Sequence, residues 1–162
     1  MFSSIIITTY NRPEALNMVL RALNKQKNKK FEVIVADDGS DKDTQLMISA
    51  LENKLDFRIR HVWHEDNGFR AAEIRNKAVL KSTGDYLIFL DGDCIPLPDF
   101  IVSHARLSEK GWFIRGNRIL LSKKFTNDAL STNIKIYKWP KHYWIKQRLL
   151  NNIKRIIPLI SM

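Results

Sequence analysis

Polar and acidic side chains that follow three apolar runs are the residues of this sequence best suited to chemistry. Asp91 and Asp93 follow the run at 86–90, Asp37 and Asp38 follow the run at 31–36, and the run at 4–9 leads into Tyr10-Asn11-Arg12. Two carboxylates one residue apart on a turn can hold a hard divalent cation, and that cation can bind a diphosphate. An aspartate can accept hydrogen bonds from a base or a ribose, and a tyrosine offers an aromatic face. Together these residue types are suited to binding a nucleotide.

The elements that position these residues alternate between short apolar runs and longer amphipathic stretches. We predict four strands and four helices up to residue 107. The predicted strands cover 4–9, 31–36, 57–63 and 86–90, and the predicted helices cover 13–23, 43–55, 71–82 and 99–107. This alternation predicts an α/β fold with a mostly parallel sheet and helices on both faces. Ligands of such sheets bind beyond the carboxyl ends of the strands, where the three polar clusters would meet.

The pattern loosens after Asp99. A pair of strands is predicted within 112–121, and a single helix is predicted over 140–157. The helix prediction depends on an apolar face at helical spacing, formed by Ile145, Leu149, Leu150, Ile153, Ile156 and Ile157.

The composition is that of an ordinary globular domain. The chain has 162 residues, of which 44% are hydrophobic and 27% are charged, and this length suits one domain. No apolar run approaches the roughly 20 residues that cross a bilayer, and the N-terminus resembles a first strand rather than a signal peptide. The single cysteine, Cys94, excludes an intrachain disulfide, so we expect a cytoplasmic protein.

The positive charge lies almost entirely in the last third of the chain. Residues 1–100 carry 14 Lys and Arg against 15 Asp and Glu, whereas residues 101–162 carry 13 against 2. The first segment is a poor surface for gripping phosphate backbones, so no nucleic acid is expected as a partner. The C-terminal segment, with Trp139, Tyr143 and Trp144 among its basic residues, suits an interfacial helix on an anionic membrane. Alternatively, its apolar face packs against the rest of the protein.

Several segments, taken in order, resemble family 2 glycosyltransferases of the GT-A fold. They are residues 5–13, 33–40, 67–76 and 84–93, and together with residues 111–118 they resemble the branch related to β-1,4-galactosyltransferases and chondroitin-type polymerases. The resemblance implies a Rossmann-like three-layer sandwich. It also implies a nucleotide-sugar-binding core over residues 1–122, followed by a basic, partly helical segment over residues 123–162.

The same resemblance implies roles for individual residues. Thr8, Tyr10 and Asp38 would contact the base, and Arg75 would lie near the diphosphate or the donor sugar. Asp91 would lie near the ribose and the metal, and Asp93 would be the direct metal ligand. The implied cofactor is Mn²⁺ or Mg²⁺, and the implied reaction is inverting transfer from a UDP-sugar to a glycan or lipid-linked acceptor in cell-surface polysaccharide synthesis.

One departure from the family concerns the catalytic base. Members continue for about a hundred residues more and carry a Trp-Gly-x-Glu-Asp type motif, whereas the acidic residues beyond Asp99 here are Glu109 and Asp128. The base is therefore unassigned, and the alternative function is a truncated binding module that holds the donor but transfers nothing.

A Rossmann oxidoreductase ranks low because no glycine-rich turn follows the first strand. A membrane- or nucleic-acid-binding protein driven by the basic C-terminus is the remaining alternative. Cys94 and the four histidines are interpreted as structural or surface residues.

Overall fold

The computed structural model describes residues 1–155, except for the side chain of Lys141. The chain divides into two compact units, Met1–Val102 and a second unit from Ser103 onward. The elements of the first unit, including a helix that continues into the second, are β1 Ser3–Thr9, α1 Pro13–Leu23, β2 Phe31–Asp37, α2 Lys42–Glu52, β3 Ile59–Trp63, α3 Ala71–Val79, β4 Tyr86–Asp91 and α4 Phe100–Leu107. All eight elements predicted up to residue 107 are present.

The four strands form one parallel sheet in the order β3-β2-β1-β4. Ile5 of β1 lies beside Val33 of β2 on one side and beside Ile88 of β4 on the other. The parallel α/β fold predicted from the sequence is confirmed. The continuous apolar character of β1 and β2 follows from this position, because strands covered by helices on both faces bury every side chain.

Successive side chains of the central strands face opposite sides of the sheet and enter two separate cores. Ile5 and Ile7 pack with residues of α1 and α2 on one face, whereas Ile6 packs with Ile74 and Ala78 of α3 on the other. Burial of each such side chain contributes about 1.5–3 kcal/mol. The helices and the sheet therefore make three layers.

A buried carboxylate joins the amino ends of the strands, at the edge opposite to the polar clusters. Glu32 on β2 accepts hydrogen bonds from Ser4 Oγ at 2.8 Å, Thr83 N at 2.6 Å and Thr83 Oγ1 at 2.8 Å, and it pairs with Arg60 at 3.2 Å. Burial acts to raise the pKa of Glu32, but these hydrogen bonds and the guanidinium outweigh it and hold the pKa below its ordinary value.

The described part of the second unit contains short elements around an aromatic cluster. The elements are β5 Leu120–Leu121, α5 Lys123–Thr132, a 3₁₀ helix Ile136–Lys138, α6 Lys141–Leu149 and β6 Ile153–Arg155. The ring of Trp139 lies 5.7, 4.8 and 5.1 Å from the rings of Phe125, Tyr143 and Trp144. Strands β5 and β6 pair antiparallel.

Two predictions for this region are wrong. No strand pair lies within 112–121, because β5 is a two-residue strand whose partner is β6, more than thirty residues further along the chain. Nor does one helix cover the described part of 140–157. Helix α6 ends at Leu149, Asn151 adopts a left-handed conformation with φ of 57°, and Ile153 is fully buried on a strand. Ile145, Leu149 and Leu150 are exposed rather than forming one buried face with Ile153. Residues 156 and 157 lie outside the described residues.

Candidate nucleotide- and metal-binding site

The order of the strands places a crevice between the carboxyl ends of β1 and β4. The chain runs from β1 outward through β2 to β3 and then returns to add β4 on the other side of β1. Such a reversal of strand order is the usual ligand site of an open parallel sheet. Thr8 pairs directly with Asp91 across this point, and Gly92 N donates a hydrogen bond to Thr8 O at 2.8 Å. The polar ends of β1 and β4 are therefore joined.

Carboxylates cluster on the turn that follows β4. One ligand atom each from Asp91, Asp93 and Cys94 lies within 4.8 Å of the others, and both aspartates are exposed. The turn can approach β1 closely because residue 92 is glycine: a Cβ there would lie 2.8 Å from Thr8 O. Two carboxylates suit a hard divalent cation such as Mn²⁺ or Mg²⁺ better than a soft metal, so the donor set fits the predicted cofactor.

Arg12 extends from the loop after β1 to this carboxylate cluster, a contact that the sequence analysis missed. Its Nη1 lies 2.9 Å from Asp93 Oδ2, and both side chains are about half exposed. Asn11 positions the loop through a left-handed backbone with φ of 46°. Ser40 Oγ accepts from Asn11 N at 2.8 Å, and Asp41 N donates to Asn11 Oδ1 at 3.0 Å. The loops after β1 and β2 therefore hold each other.

Two more of the predicted site residues meet at the end of β1. Arg75, on α3, donates from Nε to Thr8 Oγ1 at 2.8 Å. This hydrogen bond brings a guanidinium from the helix that follows β3 to the strand that borders the crevice. The structure thus places Thr8, Arg75 and Asp91 close together, so that one ligand could contact all three residues.

Asp38 is buried and already holds two partners. Its Oδ1 lies 2.8 Å from His64 Nε2, and its Oδ2 accepts from Arg70 N at 3.0 Å. Lys77 Nζ lies 3.3 Å from the other ring nitrogen of His64. Because an ammonium only donates, this contact favours the tautomer in which Nδ1 accepts and Nε2 donates to Asp38. The carboxylate is fixed in place, and because a carboxylate has about four acceptor positions, these two partners do not use all of them.

The neighbouring Asp37 has a different, internal role. It is fully buried, accepts from Ser40 N at 2.9 Å and contacts His61 Nε2 at 2.8 Å. Burial acts to raise its pKa, but the hydrogen bonds from His61 and Ser40 outweigh burial and hold the pKa below its ordinary value. Asp37 therefore shapes the turn after β2 as a buried, charged anchor.

Tyr10 stands at the rim, held by the loop after β3. Its ring is about half exposed, and its hydroxyl donates to Asp66 Oδ2 at 2.8 Å. This hydrogen bond and the negative charge of Asp66 raise the pKa of Tyr10. Gly39 permits the loop to approach, because a Cβ there would lie 2.5 Å from Asp66 Cα.

The loop after β3 was missed in the sequence, although it carried the same pattern as the others. Residues 64–67 read His-Glu-Asp-Asn, directly after the third predicted strand. His64 and Asp66 from this segment contact two predicted site residues. All four strands, and not three, therefore end in polar residues of this site.

The fold is an α/β domain whose crevice at the strand-order reversal gathers carboxylates, a guanidinium and a hydroxyl. The sequence pattern of "Glycosyl transferase family 2" matches residues 4–159. The chain belongs to this family, as the resemblance in the sequence had implied.

Named relatives agree with this family. The chain is 45% identical over 103 residues to a hyaluronan synthase of Pasteurella multocida, an alignment of 63% of this chain and 10% of the relative. It is similar in structure to TarS of S. aureus, with 29% identity, a TM-score of 0.57, and coverage of 65% of this chain and 19% of that one. A mannosyltransferase from Pyrobaculum calidifontis, solved with GDP-Man and Mn²⁺, shares the fold at 23% identity and a TM-score of 0.59, over 67% of this chain and 32% of that one.

These matches confirm the GT-A fold. The chain spans only a small part, about a tenth to a third, of the length of these three proteins. Among residues 1–155, no helix has the length and apolar character that crossing a membrane requires.

Proposed function

We propose that this chain binds a nucleoside diphosphate sugar, in particular a UDP-sugar, together with Mn²⁺ or Mg²⁺, as the donor-binding part of an inverting glycosyltransferase. The observation that carries the proposal is the convergence of Asp91 and Asp93 with Thr8 and Arg75 at the strand-order reversal. Carboxylates, a guanidinium and hydroxyls within one crevice are the groups that a metal-bound diphosphate requires.

Each predicted residue has a role that its position supports. Asp91 and Asp93 would hold the cation, which when bound would neutralise charge on the leaving diphosphate. Arg75 would contact the diphosphate or the donor sugar from the α3 side. Tyr10 would place its exposed ring against the base, with its hydroxyl held by Asp66. Asp38 would accept from the base through the acceptor positions that His64 and Arg70 leave.

In the transfer that we propose, an acceptor hydroxyl attacks the anomeric carbon as the bond to the diphosphate breaks. The hydroxyl proton must pass to a general base, which the sequence does not assign. We propose that the transfer goes to a glycan or lipid-linked acceptor in cell-surface polysaccharide synthesis. A binding module that holds the donor without transfer is the alternative, and a transfer assay with radiolabelled donor distinguishes the two.

Calorimetric titration of UDP into the chain, with and without Mn²⁺, tests the proposal. We expect binding that depends on Mn²⁺ and is lost in Asp93→Ala. Asp85→Ala is the matched control, because Asp85 is an exposed aspartate just before the opposite end of β4. Binding that persists without Mn²⁺ and in Asp93→Ala would contradict the metal site, and no binding under any condition would contradict donor binding by this chain.

We also propose that the basic second unit binds the anionic inner face of the cell membrane. Residues 103–155 hold 13 Lys and Arg against 2 Asp and Glu. On α6, Ile145 and Leu149 are 58% and 79% exposed and lie one helical turn apart. Lys146 and Arg148 flank this apolar stripe, an arrangement that suits interfacial binding.

Co-sedimentation with vesicles tests this second proposal. We expect binding to vesicles that contain anionic lipid, weaker binding at high salt, and no binding to neutral vesicles. Ile145→Glu should weaken binding, whereas Leu46→Glu, at a comparably exposed leucine of α2 in the first unit, should not. Equal losses in both variants, or equal binding to neutral vesicles, would contradict the assignment to α6.

A further inference from the structure

We propose that Arg12 exchanges partners when the metal and the nucleotide bind. It releases Asp93, whose carboxylate then holds the metal, and pairs with the diphosphate instead. This inference rests on the proposed function, since it assumes a metal at Asp91 and Asp93. It assigns Arg12 two roles: a counter-cation that competes with the metal, and a positioning residue for the nucleotide.

The geometry shows a fixed backbone and an accessible side chain. The loop that carries Arg12 is fastened on one side by the two hydrogen bonds of Asn11 and begins a helix on the other at Pro13. The Arg12 side chain, in contrast, is 49% exposed and extends to the rim, where Asp93 is 48% exposed. An ion pair with this exposure contributes little stability and can open at little cost.

The ion pair uses one of the two carboxylate oxygens of Asp93 through which a metal would bind. Arg12 Nη1 lies 2.9 Å from Asp93 Oδ2, and Oδ1 of the same carboxylate lies 3.7 Å from Cys94 Sγ. A cation bound at this carboxylate would therefore lie within a few ångströms of the guanidinium. Like charges at such a distance repel, so either Arg12 moves away or metal binding is weakened.

The charges indicate where Arg12 would go. Asp91 and Asp93 together carry two negative charges, which a divalent cation balances, so the guanidinium loses its counter-charge. A diphosphate held by that cation brings negative oxygens within reach of Arg12 and suits the fork geometry of a guanidinium. The exchange would couple the two ligands: Arg12 opposes the metal alone and favours the metal with its nucleotide.

Two binding constants measured on Arg12→Gln test the exchange. Titration of Mn²⁺ without nucleotide, followed by electron paramagnetic resonance of the unbound ion, should show binding about threefold to tenfold tighter than in the wild type, because a repelling charge is gone. Titration of UDP at saturating Mn²⁺ should show binding about tenfold weaker, because a charge-assisted hydrogen bond is lost. A residue with only a structural role would not move the two constants in opposite directions.

Arg21→Gln is the matched control, because Arg21 is an exposed arginine in the last turn of α1, bonded to Asn17. It should leave both constants unchanged, and Arg12→Lys, which keeps the charge, should leave the Mn²⁺ constant within about threefold of the wild type. Two constants that move in the same direction, a change in only one of them, or no change in either would overturn the exchange. Wild-type protein that binds neither Mn²⁺ nor UDP would instead overturn the proposed function itself.

Discussion

Removing the Asp38 carboxylate should destabilise the fold, because two donors would lose their acceptor in a buried position. Asp38 is 4% exposed and accepts from His64 Nε2 and Arg70 N at 2.8 and 3.0 Å. A hydrogen bond to a charged group contributes about 1.5–3 kcal/mol. The two bonds belong to one network and do not add fully, so Asp38→Ala should lower the free energy of unfolding by about 3 kcal/mol.

Asp38→Asn refines this prediction. An amide has one acceptor oxygen, and its NH₂ group would face one of the two donors. This variant should therefore lose about half as much, roughly 1.5 kcal/mol. Urea unfolding followed by circular dichroism measures both variants. With a slope of about 1–3 kcal/mol per molar urea, the midpoint for Asp38→Ala should fall by about 1 to 3 M.

The control for Asp38 is a neighbouring aspartate. Asp41 is exposed, and its side chain makes no capping hydrogen bond to α2. Asp41→Ala should change the free energy of unfolding by no more than about 0.5 kcal/mol. If Asp38→Ala unfolds at the same urea concentration as Asp41→Ala, the hydrogen bonds of Asp38 do not stabilise the fold.

Three further predictions concern acid, the turn after β4 and the contact between β1 and α3. The pKa of Asp37 is lower in the folded than in the unfolded state. The ionised carboxylate therefore stabilises the fold above pH about 4, and this contribution is lost as the pH falls through the folded pKa. Urea midpoints that stay constant from pH 6 to 2.5 would contradict this. Gly92→Ala should cost about 1–3 kcal/mol in thermal or urea unfolding and weaken Mn²⁺ binding, whereas Gly116→Ala, with open space around its Cβ, should do neither. Thr8→Val removes the acceptor of Arg75 and should weaken UDP binding about tenfold by calorimetry, and unchanged affinity would count against this contact.

The sheet and most of the site were predictable because the signals are local. Runs of β-branched residues such as Ile5-Ile6-Ile7 favour a strand that is buried on both faces. In a parallel sheet, the residues that follow each strand must meet at one edge, so Thr8, Asp38 and Asp91 could be grouped before the structure was known. The ends of helices were less exact: α2 and α3 each end three residues before their predicted ends.

What could not be predicted depends on distant contacts or on a turn signal that was overlooked. Asn151 adopts the left-handed conformation that ends helices, and asparagine tolerates it better than most residues, yet the apolar spacing of 140–157 outweighed that signal. Ile153 is buried on a strand that pairs with Leu121, and no local periodicity encodes this pairing. The ion pair of Arg12 with Asp93 spans 81 positions and likewise leaves no trace in spacing.

Paramagnetic broadening of the amide NMR signals of the chain by Mn²⁺ tests for a metal–nucleotide site, because it locates the metal without assuming which residues bind it. We expect substoichiometric Mn²⁺, with UDP present, to broaden the amide signals of Thr8, Gly92 and Asp93 first, and we expect Asp93→Ala to abolish the effect. Signals at the opposite edge, such as those of Ser4 and Asp85, should broaden less and only at higher Mn²⁺ concentrations. Broadening centred on any other region, or none at all, would contradict a metal–nucleotide site at the ends of β1 and β4.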